Sequence, residues 1–353
     1  MKTLLALAWF GTLLLLCQTV AAQPELVLEP ELDNIFSRLQ QYEPLNVIIE
    51  TDLKRLRKER NNEKWQPATF KIMVGDSVAF EKAVKVATRG NMRKKTCDFP
   101  PVKIRFFEEK PYNDSIADIN QLKLVVNCRY SEADEQLVVL EYLAYELYNL
   151  LTEESFRVKS ASVKFVTPGR KRPDMDGKAF FIESEKEMAS RLGGRPLKPR
   201  IITPRIMDSV SFARMSVFQY MIGNTDWGVY TRHNLKVVGT AESKVIPVPY
   251  DFDYAGLVAA DYAVPSPDIK VNSVRERYFL GMCQSAELYQ QVIDEFLAKK
   301  EQILAHCENA HDLNYGSRKD ALYYLNEFFS ILEDPEKVKK ELLENCNRRV
   351  RSD

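Results

Sequence analysis

Residues 224–253 read NTDWGVYTRHNLKVVGTAESKVIPVPYDFD and hold the densest group of polar side chains that suggest a function. Two short apolar runs inside this stretch, at 235–238 and 245–248, predict a β-hairpin. Asp226 precedes Asn234 by eight positions, and Asn234 precedes Asp251 by seventeen, with the hairpin between them. Taken singly, the Asn-Thr-Asp and Asp-Phe-Asp motifs are also explained as turn or helix-capping sequences.

The order of these residues is that of a phosphoryl-transfer site. Such a site has one carboxylate that accepts the proton of the acceptor hydroxyl, and an Asn and an Asp that bind the metal ion. Carboxylate and amide oxygens suit Mg²⁺, because this hard cation prefers oxygen ligands and keeps several waters. The chemistry depends mainly on positioning and on offsetting charge, so it needs neither a histidine nor a covalent nucleophile.

The composition also directs attention to carboxylates. The chain has 353 residues with 50 Lys+Arg against 50 Asp+Glu, which gives no global field for nucleic acid or an acidic membrane surface. Three histidines cannot supply a multi-His metal centre and a His base without using nearly all of them. Glycines number only 13, and neither GxGxxG nor GxxxxGK[ST] occurs, which argues against a Gly-rich phosphate loop.

Residues 1–22 have the pattern of a secretory signal peptide. Lys2 precedes an apolar run that ends at Leu16, and small residues lead to Ala22. The run is too short for a membrane span. We therefore expect cleavage after Ala22 and a secreted or periplasmic protein with no stable membrane anchor.

Five cysteines remain after this signal. An oxidising compartment permits disulfides, but an odd number leaves at least one thiol without a partner in the chain. We prefer the pair Cys97–Cys128, since both cysteines lie in the part of the sequence that is rich in β-formers.

Hydrophobic patterning divides the rest of the chain into three parts. Residues 23–65 are charged and mostly helical in pattern, and residues 66–182 contain short runs of β-formers around one amphipathic helix. Residues 183–353 are predominantly helical. This pattern predicts an α+β protein with two lobes, a β-rich N-lobe with one helix and a mainly helical C-lobe, and a cleft between them.

Together, the motifs at 224–227, 233–234 and 251–253 resemble the catalytic and metal-binding signature of the spore-coat-H-like (CotH) atypical protein kinases. HipA-like and secretory-pathway kinases are more distantly similar. The resemblance covers roughly residues 70–285 and implies a protein-kinase-like fold that uses ATP with Mg²⁺ or Mn²⁺. It makes Asp226 the catalytic base and Asn234 a metal ligand. Asp251 corresponds to the metal-binding aspartate of the DFG motif. Asp253 is the alternative for this role, because residues two apart on an extended segment point the same way.

The same resemblance implies a basic residue for the nucleotide phosphates. Lys103 and Arg105 share one face of a predicted strand, and either side chain can reach phosphate. The family pattern favours Arg105, although Lys is the usual point-charge partner of phosphate. Glu141 and Glu146 are the candidates for the helix carboxylate that pairs with this basic residue, and we prefer Glu141.

Two further segments have both a functional and a plain structural interpretation. Arg89 and Asn91 are expected to hold phosphates where no Gly-rich loop exists, although a β-turn explains them equally well. Residues 275–278 follow the metal motif, where kinases bind their acceptor, but the mixed charge also fits the start of a helix.

The sequence therefore predicts an exported, ATP-dependent, kinase-like phosphotransferase that acts on Ser or Thr hydroxyls of a protein substrate. One alternative is a catalytically impaired pseudokinase that serves as a binding module. Others are an AMP transferase or a small-molecule phosphotransferase on the same fold, or a solute- or surface-binding protein without a nucleotide. No nucleic-acid partner is expected, and the oligomeric state stays open.

Overall fold

The computed structural model describes residues 34–90, 92–106, 121–170, 173–198 and 202–346. The predicted signal peptide and Asn91 lie outside the described residues. Strands are concentrated in the N-terminal part of the chain and helices in the C-terminal part. The expected α+β class and the order of its two parts are therefore confirmed.

Seven strands of the described residues close into a barrel. They are β1 (Asn46–Glu50), β2 (Gln66–Val74), β3 (Ser77–Thr88), β4 (Val102–Phe106), β5 (Gln121–Val126), β6 (Val158–Val166) and β7 (Met175–Ile182). They pair in the order β1-β2-β3-β4-β5-β7-β6, and β1 closes the barrel by a parallel pairing with β6. Alternate side chains point inward, as in any strand with one apolar face, so that Phe70, Ile104 and Phe181 are fully buried in the barrel core.

The barrel corrects the prediction of a helical extension over residues 23–65. In the described part of this segment, two short helices flank β1 in the sequence: α1 (Ile35–Gln40) precedes it and α2 (Leu53–Lys58) follows it. Val47 and Ile49 are buried in the barrel core. The strand has only 5 residues, and its partners β2 and β6 lie later in the chain, so the local pattern gives little sign of it.

The short helix α3 (Met92–Thr96) precedes β4, and the long helix α4 (Glu132–Leu151) contacts strands β5, β6 and β7. The hydroxyl oxygen of Ser131 caps it by accepting a hydrogen bond from the backbone N–H of Asp134 at 3.1 Å. Acidic residues in the first turn stabilise the helix, because their negative charges interact favourably with the positive end of the helix dipole. Its buried face carries Glu141 and Tyr145, which both contribute to the site described below.

The remaining helices form the C-terminal part. They are α5 (Glu185–Arg191), α6 (Ser209–Met221), α7 (Ala286–Ala298), α8 (Lys300–Glu308), α9 (Tyr315–Leu332) and α10 (Pro335–Val338). Phe218, Phe296 and Phe328 are fully buried in a core that these helices share with α4. This helical core is distinct from the core inside the barrel.

A small sheet carries the predicted hairpin and positions the functional motifs. It consists of β8 (Gly194–Pro196), β9 (Leu235–Thr240) and β10 (Val245–Pro249), in the order β10-β9-β8. The antiparallel register pairs Leu235 with Pro249. The residues that precede β9 and those that follow β10 therefore meet at the same end of the hairpin.

Two disulfides are present in the described residues. The predicted pair Cys97–Cys128 is confirmed, and the second bridge joins Cys283 to Cys346. Cys307 is buried as a free thiol. In the part of the chain that the structure describes, no helix has both the length and the apolar character needed to cross a membrane.

Candidate functional site

The Asp226 loop follows helix α6 and is fixed by Asn224. The Asn224 amide nitrogen donates to Gln219 Oε1 at 3.0 Å, within the buried end of the helix. Its amide oxygen accepts a hydrogen bond from the backbone N–H of Asp226, also at 3.0 Å. An Asx turn of this kind sets the direction in which the chain leaves the helix, and it therefore places Asp226.

The carboxylate of Asp226 is held at both oxygens. Its Oδ1 lies 2.9 Å from His233 Nε2. The Asn234 amide nitrogen donates to Oδ2 at 3.0 Å and to the Asp226 carbonyl oxygen at 2.8 Å. Because the amide nitrogen of Asn234 is used in this way, its amide oxygen is the atom left for a cation.

The hairpin brings Asp251 close to Asn234. The backbone N–H of Tyr250 donates to the Asn234 carbonyl oxygen at 3.1 Å, which extends the pairing beyond the strands. The backbone N–H of Asp251 then donates to the hydroxyl oxygen of Tyr145 on α4 at 2.8 Å. Asn234 and Asp251 both have left-handed backbone conformations, with φ of +49° and +66°. Non-glycine residues adopt this region at some cost, and such strain is concentrated at functional sites.

Asp253 lies deeper than Asp251. It is buried, and its Oδ2 accepts a hydrogen bond from the Tyr262 hydroxyl at 3.1 Å. Burial, followed by the charge of Asp251, raises the pKa of Asp253 to about 6. Two carboxylates in this environment repel each other, and a bound cation would relieve that repulsion.

Arg93 provides the basic partner of Glu141. Its Nη1 lies 3.1 Å from Glu141 Oε2, and its Nη2 donates to the Val126 carbonyl oxygen at 2.8 Å. Burial raises the pKa of Glu141, and Arg93 opposes this rise. The alternative carboxylate, Glu146, contacts His306 instead, at 3.0 Å.

Lys123 is a second basic residue of the site, and it was not among the residues predicted from the sequence. It lies on β5 with its Nζ 4.8 Å from the centre of the Tyr250 ring. Burial, then the charges of Arg89 and Lys236, lower its pKa to about 7. A single lysine within an otherwise apolar run, LKLVV, was the available signal, because a charged side chain in such a run calls for a functional reason or a partner.

Lys103 and Arg105, which the sequence analysis proposed for the phosphates, have other partners. Lys103 Nζ lies 2.9 Å from Glu63 Oε2, and Arg105 Nη2 donates to Gln121 Oε1 at 3.2 Å. Both cationic groups also lie over the Trp65 ring, at 5.3 and 4.4 Å from its centre. Neither is among the described residues that line the cavity of the site, whose basic lining residues in the β-rich part are Arg89, Arg93 and Lys123.

A cavity of about 490 Å³ brings the remaining candidates together. Its acidic and amide side is formed by residues of the helical part: Asp226, Asn234, Asp251 and Asp253. Most of its basic lining comes from the β-rich part, namely Arg89, Arg93 and Lys123, and Arg232 of the helical part adds to it. Of the predicted phosphate-binding residues, Arg89 is therefore in the cavity, and Asn91 lies outside the described residues.

The donor set fits a divalent cation that is shared with phosphate groups. Among the described residues, no three His, Cys, Asp or Glu side chains are grouped as a metal site of their own. Mg²⁺ does not require such a group, because it is usually held by one or two carboxylates together with waters and substrate phosphates. In addition, Arg93 Nε and Glu141 Oε1 are buried and have no hydrogen-bond partner within the described residues. Buried polar atoms of this kind are normally satisfied, so the Arg93–Glu141 pair is left with unused hydrogen-bonding capacity.

The chain was compared with protein families, curated proteins and solved structures. No protein-family model matches the chain, and no curated protein matches it. Among solved structures, the chain is similar to the proinflammatory kinase CtkA of Helicobacter pylori, with 11% sequence identity and a TM-score of 0.37. The similarity covers 69% of this chain and 88% of the kinase. A likeness of this size does not establish a shared fold, so the function is inferred from the residues of the site.

Proposed function

We propose that the chain is a kinase-like phosphotransferase that moves the γ-phosphoryl group of ATP to a hydroxyl group. The observation that supports this most directly is the meeting of Asp226, Asn234 and Asp251 with Arg89 and Lys123 in one cavity. The acidic side suits a cation and an incoming hydroxyl, and the basic side suits phosphate oxygens. The proposal also covers two finer points. One is that the two parts are arranged as in a protein kinase, and the other is that the chain resembles the CotH kinases.

In the proposed reaction, the acceptor oxygen forms a bond to the γ-phosphorus of ATP. The bond from this phosphorus to the β,γ-bridging oxygen breaks, and ADP leaves with the electron pair. The hydroxyl proton moves to the carboxylate of Asp226, which His233 and Asn234 hold in one orientation. A base fixed in this way contributes mainly by its position.

The metal ion would be held by Asn234 and Asp251, with Asp253 as the second carboxylate. When bound, Mg²⁺ or Mn²⁺ would offset charge on the phosphate oxygens. Arg89 and Lys123 would bind phosphate oxygens from the opposite wall of the cavity. Arg93 would connect this wall to Glu141 on α4.

The acceptor proposed here is a Ser or Thr hydroxyl of a protein, and the proposed location is outside the cytoplasm. Two disulfides in the described residues support this location, because such bridges form and persist in oxidising compartments. The predicted cleavage after Ala22 belongs to the same proposal.

Transfer of labelled phosphate tests this proposal. The mature protein is incubated with labelled ATP, Mg²⁺ or Mn²⁺, and peptides that carry a central Ser or Thr. We expect Asp226→Asn to reduce transfer by about 100-fold or more, since general-base catalysis contributes about 10²–10⁴-fold. Asp294→Asn, at an exposed carboxylate on α7, is the matched control and should retain transfer. Equal transfer by wild type and Asp226→Asn would overturn the assignment.

The second candidate is a pseudokinase that binds nucleotide without turnover. One observation favours it: Lys103 and Arg105, the predicted phosphate partners, contact other side chains instead. Calorimetric titration with Mg²⁺-ATP separates the two candidates when it is combined with the transfer assay. Binding by wild type without transfer to any acceptor would identify the pseudokinase.

A further inference from the structure

A second cavity adjoins the first at Asp226. Its volume is also about 490 Å³. The two cavities share the lining residues Asp226, Thr231 and His233. A phosphate donor in the first cavity and a hydroxyl acceptor in the second would meet at the carboxylate of Asp226, on opposite sides of the group to be transferred.

The lining of the second cavity differs in chemistry from that of the first. Phe212, Trp227 and Val229 are buried members of a small apolar cluster, and Leu280 and Met282 pack against the same cluster. These five side chains all line the second cavity. An apolar wall next to a catalytic carboxylate favours an acceptor that carries an apolar group near its hydroxyl.

Exposed apolar side chains lie at the cavity and close to its lining residues in the sequence. Tyr230 lines the cavity and is 37% exposed. Ile206, two residues after the lining residue Pro204, is 50% exposed, and Val264, two residues before the lining residue Ser266, is 67% exposed. A small alcohol would leave these side chains in water, whereas a polypeptide is long enough to cover them.

The segment at 275–278, considered above as an acceptor site, is occupied by internal contacts. Arg275 Nη1 lies 2.7 Å from Asp320 Oδ2. The guanidinium carbon of Arg277 lies 3.7 Å from the centre of the Tyr324 ring. These contacts tie the segment to α9, so the second cavity is the better placed acceptor surface.

We propose that the second cavity binds an apolar side chain next to the Ser or Thr that a protein acceptor presents to Asp226. This inference rests on the proposed function and adds the sequence preference of the substrate. It predicts that a residue of the size of Leu, Met or Phe beside the phosphorylated position is selected by the wall formed from Trp227, Leu280 and Met282.

A peptide library with a fixed central Ser or Thr tests the preference. Each flanking position is fixed in turn as each amino acid, and transfer from labelled ATP is measured. We expect Leu, Met or Phe to be preferred over Gly or Asp at one flanking position by about tenfold, equivalent to about 1.4 kcal/mol. Leu280→Gln should remove this preference, whereas the control Leu322→Gln, at a partly buried leucine of α9, should keep it.

The outcomes separate this inference from the proposed function. Mg²⁺-ATP binding by Leu280→Gln, measured by calorimetry, should equal that of wild type, because Leu280 is not among the lining residues of the first cavity. Transfer without an apolar preference, or an equal preference in Leu280→Gln, would overturn the inference alone. Transfer to free glycerol as efficient as to the best peptides would also overturn it. Absence of both transfer and nucleotide binding in wild type would remove the proposed function and this inference together.

Discussion

Arg93 and Glu141 form an ion pair whose side chains are only 9% and 2% exposed. Removal of two charges from water is costly, and the pair offsets that cost only while both partners are present. The contact also links two elements, because Arg93 belongs to the short helix α3 (Met92–Thr96) and Glu141 to α4. This pair thus holds the basic side of the first cavity in place.

We expect Arg93→Met to lower the free energy of unfolding by about 3–5 kcal/mol, because Glu141 then stays buried without its partner. Glu141→Leu should lower the free energy of unfolding by a comparable amount, because Arg93 then stays buried without its partner. The double variant should cost clearly less than the sum of the single variants, which urea denaturation of all four proteins would measure. Additive losses would contradict the view that the two side chains stabilise each other.

Lys123 gives the first cavity a pH dependence. Its pKa of about 7 lies below the usual value of 10.5, chiefly through burial and then through Arg89 and Lys236, while Asp251 and Glu185 oppose the shift. Between these two values the unfolded chain binds a proton that the folded protein lacks. The contribution of Lys123 to stability therefore increases as the pH rises from about 7 towards 10.5.

The pH dependence of nucleotide binding has the opposite sign to that of stability, because phosphate requires the charged ammonium group of Lys123. We expect the affinity for Mg²⁺-ATP to fall as the pH rises above 7, approaching about tenfold per pH unit. Calorimetric titrations between pH 6.5 and 9 would measure this slope. Lys123→Arg is the control, since a guanidinium stays charged over the whole range. The same slope in both proteins would show that another group is responsible.

A comparison of Lys103, which was a candidate from the sequence, with Lys123, which was not, shows what single residues do not reveal in a sequence. The two lysines are direct partners in the register of β4 and β5, so periodicity gives both the same side of the sheet. Lys103 is neutralised by Glu63 and covered by Trp65, whereas Lys123 meets Tyr250. Because these partners come from distant segments, the assignment could not be made from the strand alone.

At the level of secondary-structure elements, local sequence patterns predicted much more of the structure than they did at the level of single residues. The alternation of apolar residues placed β4 at residues 102–106 and found the hairpin of β9 and β10, since period-2 patterning is a local property. Closure of the barrel was not predicted, because β1 becomes a strand only through its pairing with β2 and β6. The meeting of Asn234 and Asp251 follows from the hairpin register, which their sequence spacing only suggested.

The Cys97–Cys128 bridge joins two elements that line the first cavity. Cys97 follows α3, which carries Arg93, and Cys128 follows β5, which carries Lys123. Next to the bridge, the Phe99 backbone N–H donates to the Cys128 carbonyl oxygen at 3.2 Å. The disulfide therefore fixes the distance between two of the basic groups of the site.

We expect Cys97→Ser/Cys128→Ser to lower the free energy of unfolding by about 2–4 kcal/mol and to weaken Mg²⁺-ATP binding as well. The matched control is Cys283→Ser/Cys346→Ser, which removes the bridge that lies away from the first cavity. This control should lower stability but leave the Kd for Mg²⁺-ATP unchanged. Denaturation and calorimetry on both variants would decide, and an equal loss of affinity would contradict a specific role for the first bridge.

At the scale of the whole molecule, the first cavity is lined from both parts of the chain. The barrel interior and the helical part have separate apolar cores, and the cavity takes Arg89, Arg93 and Lys123 from one part and its carboxylates, together with Arg232, from the other. A ligand that contacts both walls binds the folded arrangement and not the unfolded chain. Its binding free energy therefore adds to the stability of the protein.

We expect Mg²⁺-ATP at 100 times its Kd to stabilise the protein by about 2.7 kcal/mol and to raise its melting temperature accordingly. ATP with a chelator should give a smaller shift, because the phosphates then meet the carboxylates of Asp251 and Asp253 without a cation between them. Asp251→Asn should reduce the difference between the two conditions, while the surface variant Asp294→Asn should preserve it. Calorimetric melting curves would measure these shifts. If the metal ion made no difference in wild type, the acidic wall would have no role in nucleotide binding, and the assignment of Asn234 and Asp251 as metal ligands would be wrong.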